Sequence, residues 1–135
     1  MKKIYLLLLF TLFITVINAQ SDTLVQQRRI QDSIGKYINK PFSVLYNDMG
    51  IKPKAVQGAL TSKNKYVEWA HQFFYEDQDD INDDIYIYIE FEQPLLISET
   101  QKYQPYFLRN FNTQEYPTYA DKIIKVLEVY PKPTQ

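Results

Sequence analysis

Ile85-Tyr86-Ile87-Tyr88-Ile89-Glu90-Phe91-Glu92 alternates strictly, with Ile85, Ile87, Ile89 and Phe91 on one side and Tyr86, Tyr88, Glu90 and Glu92 on the other. Alternation of this kind, in β-branched and aromatic residues, specifies a strand with one buried and one open face. Upstream, Val67, Trp69, His71, Phe73 and Tyr75 share one side of a second segment read as extended, opposite Glu68, Ala70, Gln72 and Phe74, with a helix over 66–75 as the alternative. The acidic connector 76–84 between the two segments makes them an antiparallel hairpin. A further strand is expected at 123–130, closed by Pro131 and Pro133, and a short one at 54–60.

Before the sheet the period changes. Leu24, Ile30, Ile34, Tyr37 and Ile38 recur at helical spacing over residues 23–38, with Gln26-Gln27-Arg28-Arg29 expected on the opposite, solvent face. Pro41 opens a second helix, 41–49, in which Phe42, Leu45 and Met49 share a face and Gly50 stands at the left-handed C-terminal position. Residues 93–121, interrupted by Pro94, Pro105 and Pro117, read as an aromatic-rich excursion packed on the sheet. The expected fold is therefore α+β, with two N-terminal helices packed on a three- to four-stranded antiparallel sheet.

At the N-terminus, Lys2 and Lys3 precede an apolar run from Ile4 to Ile17 and then Asn18-Ala19-Gln20. This is the charged, apolar, small-residue order of a secretory signal. The run holds 14 residues, short of the roughly 20 that span a bilayer. Residues 1–19 are thus expected to be a signal peptide and 20–135 a single small domain, exported to the periplasm or beyond with no membrane anchor after cleavage. Without residues 1–19 the chain carries 13 basic and 16 acidic residues, a balance of −3. Such a surface lacks the positive density that nucleic acid requires. The chain has no cysteine, so burial of its 12 Tyr and 8 Phe must supply what disulfides often supply in small exported domains.

Tyr37-Ile38-Asn39-Lys40-Pro41-Phe42 through Met49-Gly50-Ile51-Lys52-Pro53 resembles the short helix of small envelope modules such as the PASTA domain, with Asn39 where that pattern has glycine. The signal followed by a short, Tyr-rich, cysteine-free domain also resembles exported proteins of Bacteroidota. Both resemblances imply a bacterial envelope protein.

Recognisable catalytic signatures are few. His71 is the lone histidine, and its aromatic neighbours favour a core-edge or surface role over general-base chemistry. Glu90 and Glu92 lie about 6.6 Å apart along the strand, which permits a carboxylate-dependent hydrolase but suits the solvent face of an amphipathic strand better. Asp80, Asn82 and Asp84 have the first ligand spacings of a calcium loop. With Ile85 and Phe91 at the positions of the required Gly and Glu, what remains is an acidic turn able to hold Ca²⁺ weakly. No other cofactor is expected.

The expectation is a non-catalytic binding or interaction module for a protein or glycan of the envelope. Its contacts would come from Tyr86, Tyr88, Glu90 and Glu92 on the open strand face and from Tyr103, Tyr106 and Tyr116 in the excursion. Besides the hydrolase, an inhibitor or immunity-like protein acting through the acidic hairpin stays open.

Overall fold

The computed structural model describes residues 22–60, 64–79, 81 and 84–132. Residues 22–32 form α1, followed by α2 (Ile34–Tyr37), α3 (Phe42–Asp48), β1 (Ala55–Leu60), β2 (Val67–Phe74), β3 (Tyr86–Leu96), α4 (Ile97–Thr100), β4 (Leu108–Asn110), α5 (Tyr116–Ala120) and β5 (Ile124–Tyr130). The strands make one antiparallel sheet in the order β4-β1-β2-β3-β5. The α+β class and the β2–β3 hairpin are as expected, but the sheet has five strands and not three or four. The additional strand, β4, is three residues long and built around Arg109. A segment so short, with a charge at its centre, carries no alternation from which a strand can be read.

One face of the sheet carries the core. Val56, Phe73, Ile87, Ile89, Phe91, Leu127 and Val129 meet Ile30, Tyr37, Phe42, Leu45, Phe111 and Tyr119 in a single buried cluster. Phe42 anchors it, stacking on Phe73 at 5.0 Å and meeting Phe91, Phe111 and Tyr119 edge-on. This packing explains α3: Pro41 starts it, and Phe42, Leu45 and the following Met49 all turn inward.

The N-terminal segment departs from the expected single helix by breaking at Ser33. Its faces are as expected only in part: Ile30 and Tyr37 are buried and Arg28 and Arg29 exposed, but Gln26 and Gln27 are buried and Leu24 is exposed. The reason lies in backbone groups of the α3–β1 connection and of the ends of β3 and β5, which need partners. Gln26 accepts from the Ile51 N–H and donates to the Ile51 carbonyl, both at 2.8 Å. Gln27 donates to the Tyr86 and Tyr130 carbonyls at 2.8 and 2.9 Å and accepts from the Tyr75 hydroxyl at 2.6 Å. Gly50 is not left-handed either, since Met49 already leaves α3 in an extended conformation. The left-handed residue is Asn39, at φ 61°, a conformation that asparagine tolerates better than most side chains. Among the described residues, no helix is long and apolar enough to cross a membrane.

Candidate functional site

Two constellations stand out, one buried within the core face and one on the opposite face of the sheet. The buried one begins with a β-bulge. Between Glu68 and Ala70 the register of β2 shifts against both neighbours: Trp69 is an extra residue relative to β1, whereas on the other side β3 carries the extra residues between Glu90 and Leu95, and strict alternation fails there. Glu68, expected on the side of Ala70 and Gln72, turns instead to the core side with His71, while Trp69 leaves that side and is exposed. Arg109 reaches the same place from β4, its backbone paired with Val56.

There Arg109 grips the Glu68 carboxylate with both terminal nitrogens, Nη1 to Oε1 at 3.2 Å and Nη2 to Oε2 at 3.1 Å. His71 Nε2 donates to Oε2 at 2.8 Å, and Gln101 donates to Oε1 at 3.1 Å. Arg109 also donates to the Tyr119 hydroxyl and, from Nη1, to the carbonyls of Tyr106 and Phe107 at 3.1 Å each. The side chains of Glu68, His71 and Arg109 are 0% exposed. Burial opposes the charge on Glu68, but the His71 hydrogen bond and the Arg109 guanidinium outweigh it and hold its pKa down to about 2. Burial dominates at His71 and pushes its pKa down, so the ring is neutral with its proton on Nε2. Nδ1 meets no partner among the described residues, so a second proton there would have no acceptor. His71 is therefore neither at the core edge nor on the surface. It is a wholly buried donor to Glu68, and the cluster ties β2, β4, the 101–107 segment and α5 together out of reach of solvent.

Acid should loosen this lock. A neutral buried His71 favours folding above the unfolded value of about 6.5 and loses that contribution as pH falls below it. Glu68, ionised down to about 2 in the folded state, adds a second loss once the unfolded carboxyl protonates near pH 4.5. Glu115, whose pKa burial raises against the pull of Arg109, works in the opposite sense. Urea midpoints should fall from pH 7 to 5 and more steeply below 4.5, with His71→Asn flattening the upper limb and, through the lost bond to Glu68, reducing the lower one; a profile flat to pH 4 would contradict this assignment.

The second constellation occupies the other face of β3 and β5. Cross-strand pairing places Phe74 beside Tyr86 and Tyr86 beside Tyr130, then Gln72 beside Tyr88 and Tyr88 beside Glu128, then Glu90 beside Val126. The Tyr86 and Tyr130 rings stack at 4.7 Å and 14°, and Phe74 continues the row at 5.6 Å. The tyrosine hydroxyls orient the carboxylates: Tyr88 donates to Glu90 Oε1 at 2.7 Å and Tyr130 to Glu128 Oε2 at 2.6 Å. Burial, the bond to Glu90 and the charges of Glu90 and Glu128 together push Tyr88 up to about 12. Lys132 stands at the rim, its ammonium 3.3 Å from Glu128 and 5.3 Å from the centre of the Tyr130 ring. Tyr86, Tyr88 and Tyr130 stay half-exposed and lie outside the helix-covered cluster.

Tyr86, Tyr88 and Glu90 thus come together as a surface. Glu92 is exposed on the same strand beyond the register shift at Glu90/Phe91, its N–H bonded to the Ile123 carbonyl. Tyr103 and Tyr106 are exposed in the connection between α4 and β4 and do not join this surface. Tyr116 stacks on Tyr46 at 4.2 Å on the helical side of the molecule. Asp80 and Asn82 lie outside the described residues, and Asp84 is exposed. Among the described residues, no three acidic or histidine side chains gather where an ion could be held.

The residues missed from sequence are Glu68, Arg109 and Tyr119 in the interior and Glu128 and Tyr130 on the open face. For Glu68 and Arg109 the available signal was a charge inside an apolar run, as in Val67-Glu68-Trp69 and Phe107-Leu108-Arg109; for Tyr119 there was none. For Glu128 and Tyr130 it was the alternation of β5, whose outward side matches that of β3. Together these features define a class, an α+β protein with a one-sided core, a buried Glu–Arg lock and an open aromatic–acidic sheet face. No protein-family model, characterised protein or solved structure matches the chain.

Proposed function

We propose that this protein is an exported, non-catalytic binding module of the cell envelope, and that it engages its partner through the open face of β3 and β5. The carrying observation is the ordered surface of Tyr86, Tyr88, Glu90, Glu128 and Tyr130, on which rings are stacked and carboxylates held by hydroxyls. Side chains fixed in this way lose little conformational freedom on binding, which favours recognition. Tyrosine adds a rigid apolar surface with a polar end. Glu90, engaged by Tyr88, is better suited to contact than to hydrolysis paired with Glu92.

The test is capture from envelope extract by the protein and by Tyr86→Ala/Tyr88→Ala. The wild-type should retain a component that the variant recovers at least about tenfold less, as expected when aromatic anchors worth roughly 1–2 kcal/mol are removed. Equal recovery by both would remove this face from consideration.

A further inference from the structure

Phe74, Tyr86 and Tyr130 form an aromatic row that crosses three strands and ends at the β5 edge, where the Lys132 ammonium lies over the Tyr130 ring, 5.3 Å from its centre. The same ammonium is 3.3 Å from Glu128. A cation on a ring with a carboxylate alongside is already the preferred arrangement at this spot, and here a lysine of the chain itself fulfils it. That lysine is 66% exposed and held by an ion pair of the kind worth little at a surface, so an incoming cation can displace it.

A second carboxylate repeats the arrangement without a cation. Glu90 accepts from the Tyr88 hydroxyl and, among the described residues, pairs with no lysine or arginine. Glu90 lies opposite Val126, so Glu128, two residues on, is its diagonal neighbour at roughly 7–8 Å. Alternate side chains of an extended peptide stand about 6.6–7 Å apart. The two carboxylates therefore match a ligand with cations at every second residue. A guanidinium suits both seats better than an ammonium, because it stacks on a ring while its edge serves a carboxylate.

Resting on the open-face reading above, we propose that the β3–β5 face binds an extended Arg-x-Arg segment of a partner protein. One guanidinium takes the place of the Lys132 ammonium against Tyr130 and Glu128, and the other meets Glu90 beside Tyr88.

The experiment is a fluorescence-anisotropy titration of the protein with three dye-labelled, Ser/Gly-flanked peptides of equal net charge, carrying Arg-Ser-Arg, Arg-Arg-Ser or Lys-Ser-Lys. Arg-Ser-Arg should bind at least about threefold more tightly than either other peptide, the scale of one exposed cation–ring contact, and added NaCl should weaken it. Glu90→Gln/Glu128→Gln should lower its affinity at least tenfold. Lys132→Ala, which vacates the rim seat, should raise it. All three positions are on the surface, and a circular-dichroism melt of each variant checks that folding is retained.

Equal affinities for the three peptides, no binding of any of them, or an Arg-Ser-Arg affinity unmoved by Glu90→Gln/Glu128→Gln would overturn the proposal. If the peptides fail while envelope capture still depends on Tyr86 and Tyr88, the face is a binding surface for another chemistry, such as a glycan. If capture also ignores those tyrosines, the open-face reading itself falls.

Discussion

Arg109→Met is expected to destabilise the protein by about 3–5 kcal/mol, because it leaves the Glu68 carboxylate buried with its charge no longer matched. The arginine serves five acceptors at once: two carboxylate oxygens, the Tyr119 hydroxyl and two backbone carbonyls. Lysine has three donors on one atom and cannot reproduce that fork, so Arg109→Lys should recover only part of the loss. The variant should also reverse its response to acid. With the guanidinium gone, a proton on Glu68 or on His71 relieves the unmatched charge, and the folded variant then binds a proton that the unfolded chain lacks at pH 7. Its stability should rise as pH falls from 7 toward 5, opposite to the wild-type. Urea denaturation of both proteins at pH 5 and 7 measures magnitude and sign together. A loss under 1 kcal/mol with an unchanged pH slope would mean that the lock contributes nothing.

Gly58→Ala is expected to cost about 3 kcal/mol, although alanine ordinarily suits a strand better than glycine. A Cβ at Gly58 would stand 2.2 Å from Glu68 Cδ and 2.4 Å from each carboxylate oxygen. A flexible carboxylate could swing aside, but this one is held by Arg109, His71 and Gln101. The methyl group must therefore break the lock or push β1 away from it. In a Glu68→Ala background the obstacle is gone, and Gly58→Ala should be neutral or slightly stabilising. The two sites should thus couple by about 2 kcal/mol in a double-mutant cycle, within the range for residues in contact. Additive losses would show that Gly58 is glycine for some reason other than the carboxylate.

Local pattern carried the reading where the chain is regular. The alternation of 85–92 indicated both the strand and its two faces, and Ile87, Ile89 and Phe91 are buried while Tyr86, Tyr88 and Glu90 remain partly exposed. Pro41, Phe42, Leu45 and Met49 likewise indicated α3 and its inward side. Pattern failed at Trp69 because one inserted residue reverses the facing of everything before it, and nothing in Val67-Glu68-Trp69-Ala70 marks the insertion. It failed at Gln26 and Gln27 because polarity was equated with exposure, whereas these amides are buried and bond backbone groups of the α3–β1 connection and of the ends of β3 and β5.

The sequence by itself determined the α+β class, the central hairpin, the absence of disulfides and the aromatic character of the open strand face, since each depends on composition or on residues within one element. Tertiary structure alone decided the meeting of Glu68 with Arg109, 41 residues apart, and the alignment of Tyr86 and Glu90 with Tyr130 and Glu128. Those contacts depend on strand order, on a bulge and on pairing register. These are set by how the whole chain buries its apolar side chains, and no single segment records them.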